Sequence, residues 1–156
     1  MQLFEVALAD VDAQTSLGSG FDGNSGSRSL TWTLPGKPTE IVDVRRADRF
    51  FTDQSLPPID ILKLDVEGYE RKVLTCLGER LRRDRPMILM ELIGTLDKSG
   101  FSCEAELRSV LYPDHALFSL EHLGRGFRLV PFDWSKESAV VIPAEHKRSF
   151  DDVTGR

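Results

Sequence analysis

Apolar and polar positions change period along this chain, and the changes mark its elements. Residues 59–66 read Ile-Asp-Ile-Leu-Lys-Leu-Asp-Val, an apolar strand with charges set into it. Alternation places Ile61, Lys63, Asp65 and Glu67 on one face and Leu62, Leu64 and Val66 on the other. Residues 70–83 follow with Val73, Leu74, Leu77 and Leu81 at helical spacing, which predicts one helix. Residues 87–93 predict a second buried strand carrying Glu91 near its carboxyl end, and residues 103–111 a short helix. Strand, helix, strand, helix in the centre of a chain predicts a parallel sheet covered by helices.

The flanks are shorter and more broken. Residues 3–9 form an apolar run that predicts a strand, and residues 14–17 a short returning one. Residues 30–34 alternate and suit an edge strand; residues 41–44 suit another, followed by one or two helical turns over 46–51. Residues 116–121 and 126–130 flank Leu123-Gly124-Arg125 and predict a hairpin, and residues 138–142 a last strand. One domain over 1–142 and a polar tail over 143–156 are expected.

Residues 18–29 are rich in Gly, Ser, Asn and Asp and read as a flexible loop. Their glycines have tempting spacings, but no buried strand runs through them into a helix, so a phosphate cradle is not expected.

Composition narrows the function classes. The chain has 156 residues, 40% hydrophobic and 29% charged, the profile of a globular domain. A net charge of −5 argues against nucleic acid as partner. Arg80, Arg82, Arg83 and Arg85 fall at an expected helix end, where cations suit the helix dipole. Cys76 and Cys103 match no metal spacing and are expected to be small, part-buried residues. The amino terminus, Met1-Gln2-Leu3-Phe4-Glu5, is unlike a secretory signal, and no apolar run is long enough to span a bilayer; no membrane partner and a cytoplasmic setting are expected.

The chemistry-bearing residues gather at strand ends. Asp65, Glu67 and Glu91 close two consecutive strands, which a right-handed crossover tends to place side by side. Open α/β sheets bind ligands at such carboxyl ends. Each acid could instead cap a turn, and Lys63 could form a satisfied buried pair with Asp65 or Glu91. His115 is expected at the surface; His122, at the hairpin, could face the crevice. A serine or cysteine elbow of the hydrolase type is not visible.

The run Ile59-Asp60-Ile61-Leu62-Lys63-Leu64-Asp65-Val66-Glu67-Gly68-Tyr69-Glu70, then Val73-Leu74, then Arg85-Pro86-Met87-Ile88-Leu89-Met90-Glu91, resembles the FkbM family of S-adenosylmethionine-dependent methyltransferases. Val6-Ala7-Leu8-Ala9-Asp10 is similar to an earlier strand of that family, residues 41–50 to the segment before its central motif, and residues 139–143 to its last strand. In residues 41–50, Arg46-Ala47-Asp48 replaces the usual leucine and aspartate order. The resemblance implies an α/β, Rossmann-like methyltransferase fold with a mostly parallel sheet and an antiparallel carboxyl-terminal hairpin. It implies S-adenosylmethionine as cofactor and a small-molecule hydroxyl acceptor, a sugar or other alcohol. By the same resemblance Asp65 lines the cofactor and acceptor crevice, and Glu67 and Glu91 bind the acceptor or act as base. Lys63 orients Asp65, and Val6, Ala7 and Leu8 border the adenine pocket.

The chain departs from the family pattern in one respect. The glycine-rich strand-turn similar to "D-V-G-A-N-x-G", and the following acid-tipped strand, are not in this sequence. The chain resembles the carboxyl-terminal two-thirds of such an enzyme, so an incomplete fold and a truncated chain are expected. In the family those two strands lie between the one matched by residues 3–9 and the one matched by residues 59–66. A gap is therefore expected there, and unpaired buried backbone is costly. A homo-oligomer or a partner chain completing the sheet, or a non-catalytic remnant, are the alternatives to an active enzyme.

Overall fold

A computed structural model describes residues 2–19, 28–29, 39–92 and 99–147. Among the described residues, nine strands form two sheets, accompanied by four α-helices. The elements run β1 (Ala7–Ala9), β2 (Ala13–Ser19), β3 (Arg28–Ser29), β4 (Thr39–Arg46), α1 (Ala47–Asp53), β5 (Ile61–Leu64), α2 (Glu70–Cys76), α3 (Gly78–Asp84), β6 (Met87–Glu91), α4 (Glu104–Val110), β7 (His115–His122), β8 (Phe127–Pro131) and β9 (Ser138–Pro143).

The first sheet has the order β1-β4-β2-β3 and the second β5-β6-β9-β7-β8. Each contains one parallel pair, β1 with β4 and β5 with β6; every other pairing is antiparallel. The expected mostly parallel sheet is thus corrected to two mixed sheets within an α/β fold. The reason lies in the connections. β5 and β6 are joined by the helical crossover α2–α3, long enough for parallel pairing. β9 returns to lie between β6 and β7, antiparallel to both.

Several boundaries also shift. The expected helix over 70–83 is two helices, broken at Leu77, whose backbone caps the first and opens the second. The apolar spacing continues across the break because Leu77 is itself buried in the core. The returning strand expected at 14–17 runs over Ala13–Ser19 and pairs with β4, and part of the expected loop over 18–29 is strand at both ends. The edge strand expected at 30–34 and most of the tail lie outside the described residues.

One face of the second sheet is the core face. Leu64, Ile88, Met90, Val141, Ala139 and Leu117 are in register there and pack on Val73, Leu74, Leu77 and Leu81 of the helical segment and Leu107 of α4. Burying side chains of this size contributes about 1.5–3 kcal/mol each. α2 also packs against β1 and α1, which ties the two sheets together. Tyr112 is fully buried and donates its hydroxyl to the Pro86 carbonyl at 2.6 Å. The arginine cluster is fully engaged in ion pairs: Arg80 and Arg83 with Asp84, Arg82 with Glu79, Arg85 with Glu145. Cys76 is half-buried, whereas Cys103 is exposed, since it precedes α4 on its solvent side.

Candidate active site

The opposite face of the second sheet carries the polar groups. Lys63 is in register with Leu89, Leu89 with Val140 and Val140 with Phe118. One step further, Glu91 is opposite Ser138, and two residues beyond Lys63 the alternation brings Asp65 beside Glu91. Glu91, Asp65 and Lys63 line one cavity of about 330 Å³ with Leu89, Ser138, His122 and Phe127. This cavity lies at the carboxyl ends of β5 and β6.

The charges there interact. Lys63 Nζ donates to Asp65 Oδ2 at 2.6 Å. The pair is exposed rather than buried, a correction to the expected buried pair. The strand edge is open on that side, so water still reaches both groups. The Glu91 carboxyl is pushed up from its ordinary value, first by lost hydration, then by the Asp65 charge and a hydrogen bond to Asp65, and then by the Glu67 charge; Lys63 opposes this. Glu91 therefore keeps its proton to higher pH than an isolated carboxyl would.

The turn after β5 fixes this geometry. Glu67 has φ +50° and Gly68 φ +103°, left-handed values that Gly68 adopts without a Cβ clash. Glu70 holds the turn: its Oε1 accepts from the Val66 N–H at 3.2 Å and its Oε2 from the Gly68 N–H at 3.0 Å. Its side chain is 0% exposed, and burial pushes its carboxyl above the ordinary value.

A family model described as "Methyltransferase FkbM domain" matches residues 4–129. This chain belongs to the FkbM methyltransferase family. No curated protein matches it, and no solved structure does.

In this FkbM domain a second cavity, of about 320 Å³, lies between β1 and β5. Val6, Ala7, Leu8 and Asp65, the four residues expected at the cofactor, all line it, and Lys63 does so too. Leu62, Leu64, Val66, Tyr69 and Val73 complete an apolar wall. Lys63, Leu64 and Asp65 border both cavities, so the end of β5 is the partition between them.

Glu67 stands off this partition and reaches the site through its charge on Glu91. His122 lines the Glu91 cavity, while His115 is half-buried, its Nδ1 2.6 Å from the Tyr112 carbonyl. Among the described residues, no group of three or more His, Cys, Asp or Glu could hold a metal ion. Nor does any described helix have the length and apolarity to cross a membrane. Sequence reasoning had Glu70 in the motif at the helix start but not its hold on the turn, and it missed Phe127. The "E-G-x-E" spacing held a signal for Glu70, a carboxylate at the start of a helix after a glycine turn. Phe127 had none, because only hairpin register brings it to the crevice.

Proposed function

We propose that this domain carries out S-adenosylmethionine-dependent O-methylation of a small hydroxyl-bearing molecule, a sugar or other alcohol. The observation that carries the reading is the single crevice shared by Asp65 and Glu91 at the ends of two adjacent parallel strands. The cavity between β1 and β5 suits the nucleoside end of the cofactor: its walls are apolar, and Asp65 offers a carboxylate to hydroxyls. When bound, the cofactor supplies a methyl group on a sulfonium. The chain's part is to position the acceptor and take up its proton. Glu91, made more basic by its surroundings, is suited to accept the hydroxyl proton. Asp65 orients the acceptor, and Lys63 fixes Asp65 through their 2.6 Å bond. Calorimetric titration with S-adenosylmethionine tests the reading: binding heat is expected, and none at millimolar ligand would favour a non-catalytic remnant.

One observation favours a second reading, a subunit whose sheets are completed by a parallel strand of another polypeptide segment. Among the described residues β1 pairs with β4 alone and β5 with β6 alone, and both open edges border the same cavity. Ile61, on the open edge, is 70% exposed. Exposed edges of this kind recruit further strands. Sedimentation and urea unfolding of the chain alone are the test. Self-association or a broad transition is expected, and a monomer with one sharp transition would overturn this reading.

A further inference from the structure

We propose that His122 and Phe127 form the aromatic wall of the acceptor site and select a ring-shaped hydroxyl compound with one apolar face. This rests on the acceptor occupying the Glu91 cavity. The two residues are directly opposite each other across the β7–β8 hairpin. Their rings meet edge to face, with centroids 5.1 Å apart. Register carries them to the same sheet face as Glu91 and Asp65, through Ser138, Val140 and Phe118.

The hairpin overhangs its neighbour. β9 pairs with β7 only as far as Phe118, while β7 continues to His122 with β8 as its partner. The overhang is what brings the aromatic pair to the cavity, facing strand ends that carry acids. Phe127 is 67% exposed, so the fold itself gains little from its ring. A single exposed phenylalanine is unremarkable. This one borders a cavity whose other wall is Lys63, Asp65 and Glu91. Apolar surface with a few convergent polar groups is the usual make-up of a small-molecule site. About 330 Å³ is at the small end for such sites and suits one ring rather than a chain of them.

His122 contributes a polar handle. Its Nδ1 accepts a hydrogen bond from the Gly124 N–H at 3.2 Å. The neutral ring therefore carries its proton on Nε2, which is left to donate to an acceptor hydroxyl. An acceptor lying against Phe127 would present its C–H face to the ring and its hydroxyls to Glu91 and Asp65.

Ligand-observed NMR titration, without S-adenosylmethionine, tests this with methyl β-D-glucopyranoside as the ring probe and sorbitol as the open-chain control. The wild-type chain is expected to bind the pyranoside more tightly than sorbitol. Phe127→Ala should weaken the pyranoside by about fivefold or more, and Phe127→Trp should retain it. Sorbitol binding should be the same in all three proteins. Unchanged pyranoside affinity in Phe127→Ala, or no pyranoside binding to wild type, would overturn the proposal. So would a change of oligomeric state in Phe127→Ala with no change in ligand binding. Pyranoside binding without cofactor heat would leave the platform standing and remove the methyl-transfer reading instead.

Discussion

Glu91 and Asp65 line one crevice at the ends of β6 and β5, and the Asp65 charge helps push the Glu91 carboxyl above its ordinary value. The pair exists because β5 and β6 are parallel and in register, with Leu64 opposite Met90. Lost hydration and the neighbouring Asp65 charge make ionisation of Glu91 costly, so Glu91 keeps its proton to higher pH.

Asp65→Asn removes the charge proposed to orient the acceptor but keeps the shape. Methyl transfer to the acceptor is expected to fall on the order of a hundredfold or more, with the circular dichroism spectrum unchanged. Equal turnover in the variant would remove Asp65 from the mechanism.

The raised Glu91 carboxyl also sets a pH dependence. The folded state keeps this proton where the unfolded chain has lost it, so folding is opposed increasingly as pH rises above the ordinary value of 4.5. The penalty is complete once pH passes the folded-state value. Glu91→Gln should therefore gain stability relative to wild type between pH 4 and pH 8. Urea midpoints measured across that range report it, and parallel curves for the two proteins would refute it. Asp48 has the opposite sign: Arg46 holds it down at about 2, so its stabilisation is present above 3.8 and fades as pH falls through 2. That ion pair is part-exposed, so its contribution is small and screened by salt.

Glu70→Ala leaves the Val66 and Gly68 N–H groups without their acceptor. The expected loss is about 3 kcal/mol of folding stability, measured by chemical denaturation. Glu70→Gln keeps one acceptor oxygen and should lose about 1 kcal/mol. Equal losses in the two variants would mean that packing volume, not hydrogen bonding, is what Glu70 supplies.

Tyr112→Phe removes one buried hydroxyl and strands the Pro86 carbonyl. A loss of about 1–2 kcal/mol is expected in the same measurement. Because Arg85 lies over this ring and also binds Glu145, the variant should loosen the contact between the α3–β6 turn and the segment after β9. Faster amide exchange at Ala144, whose N–H bonds the Asp114 carbonyl, would show it.

The central elements were legible in the sequence because their signals are local. Leu64, Ile88 and Met90 had to be buried wherever the strands went, and the charges at 63, 65 and 91 had to be on the other face. Period two and the short crossover were enough to bring the carboxyls of residues 65 and 91 together. The break at Leu77 was not legible, because apolar spacing passes through it unchanged. Cys103 was misjudged because its exposure follows from the capping position before α4.

The linear order of residues determined which side chains share a face, which turns need a left-handed residue, and that two acids end neighbouring strands. Only the tertiary structure decided that β9 enters between β6 and β7, that the hairpin overhangs far enough to bring Phe127 to the crevice, and that β1 belongs to a separate sheet from β5. The physical reason is range. Side-chain periodicity is set by backbone geometry over a few residues, whereas strand order depends on which edges meet after distant segments have packed on the shared helix α2.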